Sequence, residues 1–82
     1  MKRVAVHIND MRRILDHSRI DRETVDVKCW KSTGDIIHYK GWLVRRGSWR
    51  EGTHLLQNPV NGEIRMVRDV CIFEINGLKV YL

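Results

Sequence analysis

The side chains with the clearest chemical potential lie in the segment WLVRRGSWREGTHLL, residues 42–56. Arginines and Trp49 surround Gly47 there, and no acidic residue occurs between positions 36 and 50. An exposed indole among guanidinium groups suits single-stranded nucleic acid, because bases stack on the ring while arginines contact phosphates. The loop thus predicts a sequence-tolerant nucleic-acid-binding surface. Its candidate contacts are Arg45, Arg46, Trp49 and Arg50, with Lys40, Arg65 and Arg68 as outer phosphate contacts.

The same loop has a purely structural interpretation. Trp49 would then fold back over the core, and the arginines would keep the turn solvated while Glu51 pairs with one of them. An exposed pair of this kind contributes little to stability. The sequence leaves both interpretations open.

A second candidate surface is apolar. Trp30, Ile36 and Trp42 fall on the opposite face from the apolar residues of their own strands. A sheet with apolar groups on both faces must cover both of them. The pattern therefore predicts that the N-terminal helix, a second copy of the chain or another protein covers this face.

Motifs for catalysis or metal binding are lacking. There is no phosphate-binding glycine loop, nucleophile elbow or HExxH motif, and the four histidines are scattered. Cys29 and Cys71 stand alone and far apart, unlike the close ligand pairs of a zinc site. We interpret both as small buried apolar side chains, which could form a disulfide only under oxidising conditions. We expect no enzymatic activity, no metal, no cofactor and no small-molecule substrate.

Length and charge set wider limits. The 82 residues predict a single domain (1–82), with an N-terminal lead and helix over 1–22 and a β region over 23–82. The net charge of +5 suits nucleic acid or an acidic partner, but it also occurs in proteins that bind neither. No apolar run is long enough for a membrane span, and the basic start lacks the apolar core of a signal peptide. We therefore expect a cytoplasmic protein without membrane contact.

The segment NDMRRILDHSR, residues 9–19, predicts a helix. Asn9 or Asp10 would cap its first turn, and Arg12 and Asp16 would pair on its outer side. The preceding VAVHI is either a short strand or an extended lead-in. The apolar stripe would consist of Met11, Ile14, Leu15 and Ser18.

Beyond residue 24 the period changes to two, which is typical of strands. A three-residue turn over 32–34 joins the first two strands, and Gly41 indicates a bulge or sharp bend. The strands GTHLLQ and EIRMVRDV are joined by the turn NPVNG. The predicted cross-strand pairs are Trp30–Ile36, Cys29–Ile37, Val27–Tyr39 and Asp26–Lys40.

Asn76-Gly77 between alternating runs predicts a tight C-terminal hairpin with a type I′ turn. Its register would place Cys71, Phe73 and Ile75 on one apolar face with the residues opposite them. The predicted pairs are Ile75–Leu78, Glu74–Lys79, Phe73–Val80 and Cys71–Leu82.

Together these elements predict a mainly β fold with one N-terminal helix. The β part would be a small, strongly bent antiparallel sheet or an SH3-like barrel of about five strands; an open meander with the helix across it is the alternative. The segments VDVKCWKSTGDIIHYKG and GEIRMVRDVCIFEINGLKVYL resemble small uncharacterised SH3-like β-barrel proteins of bacterial phage and mobile-element origin. That resemblance implies an accessory role and supplies no catalytic residues.

The sequence as a whole favours a small interaction module without catalytic activity. Such a module would self-associate or dock on a protein partner. Sequence-tolerant nucleic-acid binding through the loop 45–50 is the alternative function.

Overall fold

The computed structural model describes residues 5–82. Helix α1 spans Ile8–Asp21, and a short 3-10 helix spans Asp69–Cys71. The strands form one sheet in the order β1-β7-β6-β2-β3-β4-β5. They are β1 (Ala5–His7), β2 (Thr24–Trp30), β3 (Ile36–Ser48), β4 (Thr53–Gln57), β5 (Ile64–Arg68), β6 (Ile72–Ile75) and β7 (Leu78–Tyr81).

The prediction of a mainly β fold with one N-terminal helix is confirmed. The predicted five-stranded, wholly antiparallel sheet or closed barrel is wrong. The described residues form seven strands, and β1 runs parallel to β7 through Val6 and Val80. The lead-in to the helix thus adds a strand, and the end strands β1 and β5 do not pair with each other, so the sheet stays open.

Helix α1 packs its apolar stripe on the sheet as predicted, with Met11, Leu15 and Ser18 buried. The helix begins earlier than expected, and His7 caps it by accepting the N–H of Asn9 at Nδ1 (3.1 Å). The Asn9 or Asp10 cap was therefore wrong. The predicted Arg12–Asp16 pair does not form. Arg12 donates to Asp69 of the 3-10 helix, and Asp16 contacts His54 of β4.

The β2–β3 register is confirmed from Trp30–Ile36 to Val27–Tyr39. The predicted bulge at Gly41 is also present, with a φ of 69° that favours glycine. Its extra residue changes the pairing beyond it. Asp26 consequently accepts the Gly41 N–H at Oδ1 (2.8 Å) instead of lying opposite Lys40, so that predicted pair is wrong.

The bulge also moves Trp42 to the other face. Trp42 pairs with the buried Val25, and its ring packs edge-on against Tyr39, with 4.7 Å between the ring centroids. Trp42 therefore lies against the core, and its assignment to the outer apolar surface was wrong. A strict two-residue period cannot follow a strand across a bulge.

The C-terminal hairpin has the predicted Ile75–Leu78 and Glu74–Lys79 pairs. Asn76 and Gly77 both have positive φ (48° and 81°), as a type I′ turn requires. The β6–β7 ladder does not include the predicted Phe73–Val80 and Cys71–Leu82 pairs. Cys71 belongs to the 3-10 helix and not to β6.

A register shift opposite Lys28 and Cys29 makes Phe73 an extra residue in β6, so Ile72 rather than Phe73 shares the predicted inward face with Ile75. Ile72 pairs with Cys29 and Ile75 with Val27, so both isoleucines are buried. Phe73 turns outward and contacts Trp30, with ring centroids 5.3 Å apart. The prediction that Phe73 faces the core was wrong.

One core lies between α1 and the sheet. No helix among residues 5–82 is long and apolar enough to cross a membrane. The predicted absence of a signal peptide depends partly on residues 1–4, which lie outside the described residues. The buried apolar residues are Val6, Ile8, Met11, Leu15, Val25, Val27, Cys29, Tyr39, Val44, Leu56, Val67, Ile72 and Ile75.

Substitutions at two neighbouring positions test the shifted register of β6. Ile72→Ala leaves a cavity in the core and should lower the free energy of unfolding by about 2–4 kcal/mol. Phe73→Ala removes an outward ring and should cost about 1 kcal/mol or less. Urea unfolding followed by circular dichroism measures both, and a larger loss for Phe73→Ala would contradict this register.

Candidate functional site

Trp49 stands at the tip of the β3–β4 hairpin and is tied to helix α1. Its indole Nε1 donates to Asp16 Oδ2 at 2.7 Å, and the Arg12 guanidinium lies 5.2 Å from the ring centroid. The side chain is 43% exposed. Trp49 therefore neither enters the core nor stands free: the helix holds it, and part of its ring remains accessible.

The arginines of the predicted nucleic-acid site separate in space. A register shift between Val44 and Arg46 makes Arg45 a bulge residue, which lines a groove with Arg19 and Arg22 of the helix end. Arg46 pairs with Leu55, whose side chain lies on the opposite face from the buried Leu56. The loop therefore divides its positive charge between two surfaces.

The outer candidates divide in the same way. Arg65 lies opposite the buried Leu56 and contacts Glu63 (Nη2–Oε1 3.3 Å), so it does not share a face with Arg46. Lys40 is exposed beside the β3 bulge. Three arginines do come together around Met66, because each lines a depression that Met66 also lines. We call Arg46, Arg50 and Arg68 the outer basic surface.

Beneath Trp49 lies a buried network of charged side chains. His54 Nδ1 is 2.6 Å from Asp69 Oδ1, and its Nε2 is 3.3 Å from Asp16 Oδ1. Arg12 Nε donates to the other oxygen of Asp69 at 2.8 Å. His54 and Asp69 have no exposed side-chain surface. We call Arg12, Asp16, Trp49, His54 and Asp69 the charged network; it joins α1 to the sheet.

The charged network determines the protonation of His54. Burial by itself lowers the pKa of His54, but the hydrogen bonds and negative charges of Asp69 and Asp16 outweigh it and raise the pKa above the usual value. A protonated ring donates from both nitrogens, as two flanking carboxylates require. The doubly protonated, charged imidazole therefore fits this geometry best.

Gly47 lets the hairpin close over the network. A Cβ atom at this position would lie 2.7 Å from both Cδ2 and Nε2 of the His54 ring. Real Cβ atoms essentially never approach that closely. Glycine is therefore required here by the close approach of the ring.

A histidine paired with a carboxylate is also a catalytic arrangement, but this pair is sealed. His54 is fully buried, and neither it nor Asp69 lines the groove at Cys29, the groove at Arg45 or the depressions around Met66. The nearby Ser48 hydroxyl accepts the backbone N–H of Glu51 at 3.2 Å. A general base must reach the proton that it removes, and no part of this side chain is exposed in the structure. The network is suited to positioning the helix.

The apolar interface candidates also lie differently from the prediction. Trp30 (50% exposed) and Ile36 (54% exposed) pair across β2 and β3. Phe73 of β6, which was not predicted there, packs against Trp30 in place of Trp42. We call Trp30, Ile36 and Phe73 the outer apolar face.

The two cysteines line one cavity. Cys29 and Cys71 are free thiols on a groove of about 540 Å³ that β2, β3, β5 and the 3-10 helix border. Cys29 is buried as expected, and burial raises the pKa of its thiol. Cys71 is only half-buried. No group of three or more His, Cys, Asp or Glu side chains within residues 5–82 is arranged to hold a metal ion.

Comparison with known proteins adds no family: no family model, curated protein or solved structure matches this chain. The resemblance to phage SH3-like barrels stays a prediction. The charged network was not found from the sequence, because its members are separated by up to 57 residues. Gly47 lies seven residues before His54, and its close contact with the His54 ring follows only from the register of the β3–β4 hairpin.

The pKa of His54 predicts how stability depends on pH. Because the folded pKa is raised, the stabilisation is complete below the unfolded value of about 6.5 and is lost as pH rises through the folded pKa. His54→Gln should lower the free energy of unfolding by about 3 kcal/mol at pH 6 and remove that decline. Urea unfolding across a pH series measures both effects. The exposed His38→Gln serves as the control and should keep the wild-type profile; a His54→Gln profile that also follows wild type would contradict the assignment.

Proposed function

We propose that this chain is a non-enzymatic interaction module that self-associates through its outer apolar face. The observation that carries this proposal is that Trp30, Ile36 and Phe73, from three neighbouring strands, lie together on the sheet face away from the core. Exposed apolar clusters of this kind mark interaction sites more often than single exposed residues do. An accessory module of this size is compatible with the phage-type proteins that the strand pattern resembles.

The charges around this face favour a second copy of the chain as its partner. Lys28 lies two residues before Trp30 and Glu74 directly follows Phe73, and the two form an ion pair without net charge (Nζ–Oε2 2.9 Å). Lys31 and Asp35 follow as a second oppositely charged couple at the turn. Glu74 also lies opposite Lys79, so the border carries the cations Lys28, Lys31 and Lys79 against the carboxylates Glu74 and Asp35. This excess of one positive charge is small beside the net charge of +5, so the repulsion between two such faces is weak and is screened by salt. A patch this small favours a weak association.

Sedimentation velocity over a range of protein concentrations tests self-association. Wild type should show a mass that rises with concentration. The double variant Ile36→Thr/Phe73→Ser should lower the association constant at least tenfold, because apolar area is removed from the contact. Val60→Ser, at a turn residue that is 92% exposed, is the matched control and should behave as wild type. A monomer mass that does not depend on concentration would refute the proposal.

Nucleic-acid binding is the second candidate function, and the outer basic surface favours it. Arg46, Arg50 and Arg68 converge around Met66, beside the accessible part of Trp49. This arrangement supports phosphate contacts with little base readout. Of the predicted contacts, Arg45, Lys40 and Arg65 would contribute less, since they lie on other surfaces.

Fluorescence anisotropy with labelled single-stranded DNA and RNA tests this second function. Arg46→Gln/Arg68→Gln should weaken binding and reduce the slope of log K against log salt by about 1.4, for two lost phosphate contacts. Arg45→Gln is the matched control and should leave that slope nearly unchanged. Equal losses in both variants, or no binding at low salt, would exclude the outer basic surface as a nucleic-acid site.

A further inference from the structure

Strand β5 has one free edge. It pairs with β4 from Thr53–Arg68 to Gln57–Ile64 and is the last strand of the sheet. No other strand of the described chain borders its second side. Unpaired backbone groups along a strand edge can accept an additional strand.

The backbone hydrogen bonds show which residues have free groups. Asp69 N–H donates to Gly52 O and Asn58 N–H donates to Glu63 O, both at 2.8 Å. Hydrogen-bonded pairs alternate along an antiparallel ladder, so His54–Val67 and Leu56–Arg65 are the bonded pairs between these ends. The backbone N–H and C=O groups of Ile64, Met66 and Arg68 consequently point away from β4, towards the free edge. One of them is already engaged, because the Ile64 carbonyl accepts from Nη1 of Arg65 at 3.1 Å.

The groove lined by Cys29 and Cys71 lies along the same strand. One wall is formed by Met66, Val67 and Arg68, and the other walls include Ile37 and Tyr39. These walls are mainly apolar, and the charged lining residues are Lys31 and Arg68, both cationic. The volume of about 540 Å³ is sufficient for several side chains of a bound chain.

We propose that the free edge of β5 binds an extended segment of another protein, in which apolar and acidic residues alternate. The segment adds a strand by pairing with the amides of Ile64, Met66 and Arg68. Its apolar side chains enter the groove, and the alternating carboxylates point to the other face, where Arg68 also lines the depression beside Met66. Main-chain hydrogen bonds supply affinity in this mode of recognition, and side chains supply selectivity. Of the outer apolar face only Trp30 lines this groove, so the site shares that residue with the self-association surface but does not involve Ile36 or Phe73.

The test uses two heptapeptides, one alternating valine with glutamate and the other alternating valine with lysine. Each is titrated into the ¹⁵N-labelled full chain. The glutamate peptide should shift the amide resonances of Ile64, Met66 and Arg68 and slow their hydrogen exchange, while the lysine peptide should bind at least tenfold more weakly. Absence of shifts with the glutamate peptide, equal binding of both peptides, or shifts confined to Ile36 and Phe73 would each overturn the proposal.

A pair of substitutions at one position isolates the edge. Met66→Pro removes a donor that faces away from β4, so the β4–β5 ladder remains complete. Met66→Pro should lower the affinity for the glutamate peptide about tenfold, whereas Met66→Leu should retain the wild-type affinity. Met66→Pro should leave the concentration dependence of the sedimenting mass unchanged, which separates this proposal from self-association. Wild-type affinity in a folded Met66→Pro variant would contradict strand addition. Circular dichroism checks that Met66→Pro is folded. If it is unfolded, Arg68→Gln replaces it and must lower the affinity for the glutamate peptide.

Discussion

The position of helix α1 depends on the need of Asp69 for positive partners. This carboxylate is fully buried, and a buried charge without compensation costs several kcal/mol. Arg12 approaches it from the helix and His54 from β4, so both positive partners are present only when helix and sheet are docked. The apolar stripe of α1 supplies most of the contact area, while the charged network selects one position for the helix along the sheet.

The same constraint changes the character of the basic hairpin. Asp16 engages the Trp49 indole and Arg12 covers part of its ring, so the hairpin tip is anchored to the helix. Trp49 is therefore neither a fully exposed ring available for stacking nor a ring buried in the core. The bulge at Arg45 further separates charges that are adjacent in the sequence. Arginines that are neighbours in the sequence of this hairpin therefore lie on different surfaces of the protein.

Local chemistry explains what the sequence could predict. The Asn76-Gly77 turn and the three-residue turn before Asp35 each determine the pairing near them, and the helix stripe follows its own period. Failures lie beyond irregularities: Trp42 follows the Gly41 bulge, and Phe73 follows a register shift. A bulge forms where the neighbouring strand can satisfy its extra backbone groups. Here the Asp26 carboxylate of β2 accepts the Gly41 N–H. The ion pairs of Asp69 need the assembled fold, so no local pattern predicts them.

The arginines of β5 bear on whether the protein can polymerise. An unpaired strand with Ile64 and Met66 exposed would ordinarily template fibrous aggregation between identical chains. Pairing two such edges would bring Arg65 and Arg68 of both chains onto one short ladder, where like charges repel. These arginines therefore oppose pairing between two copies of this edge. Since salt screens that repulsion, the protection against fibres weakens at high ionic strength.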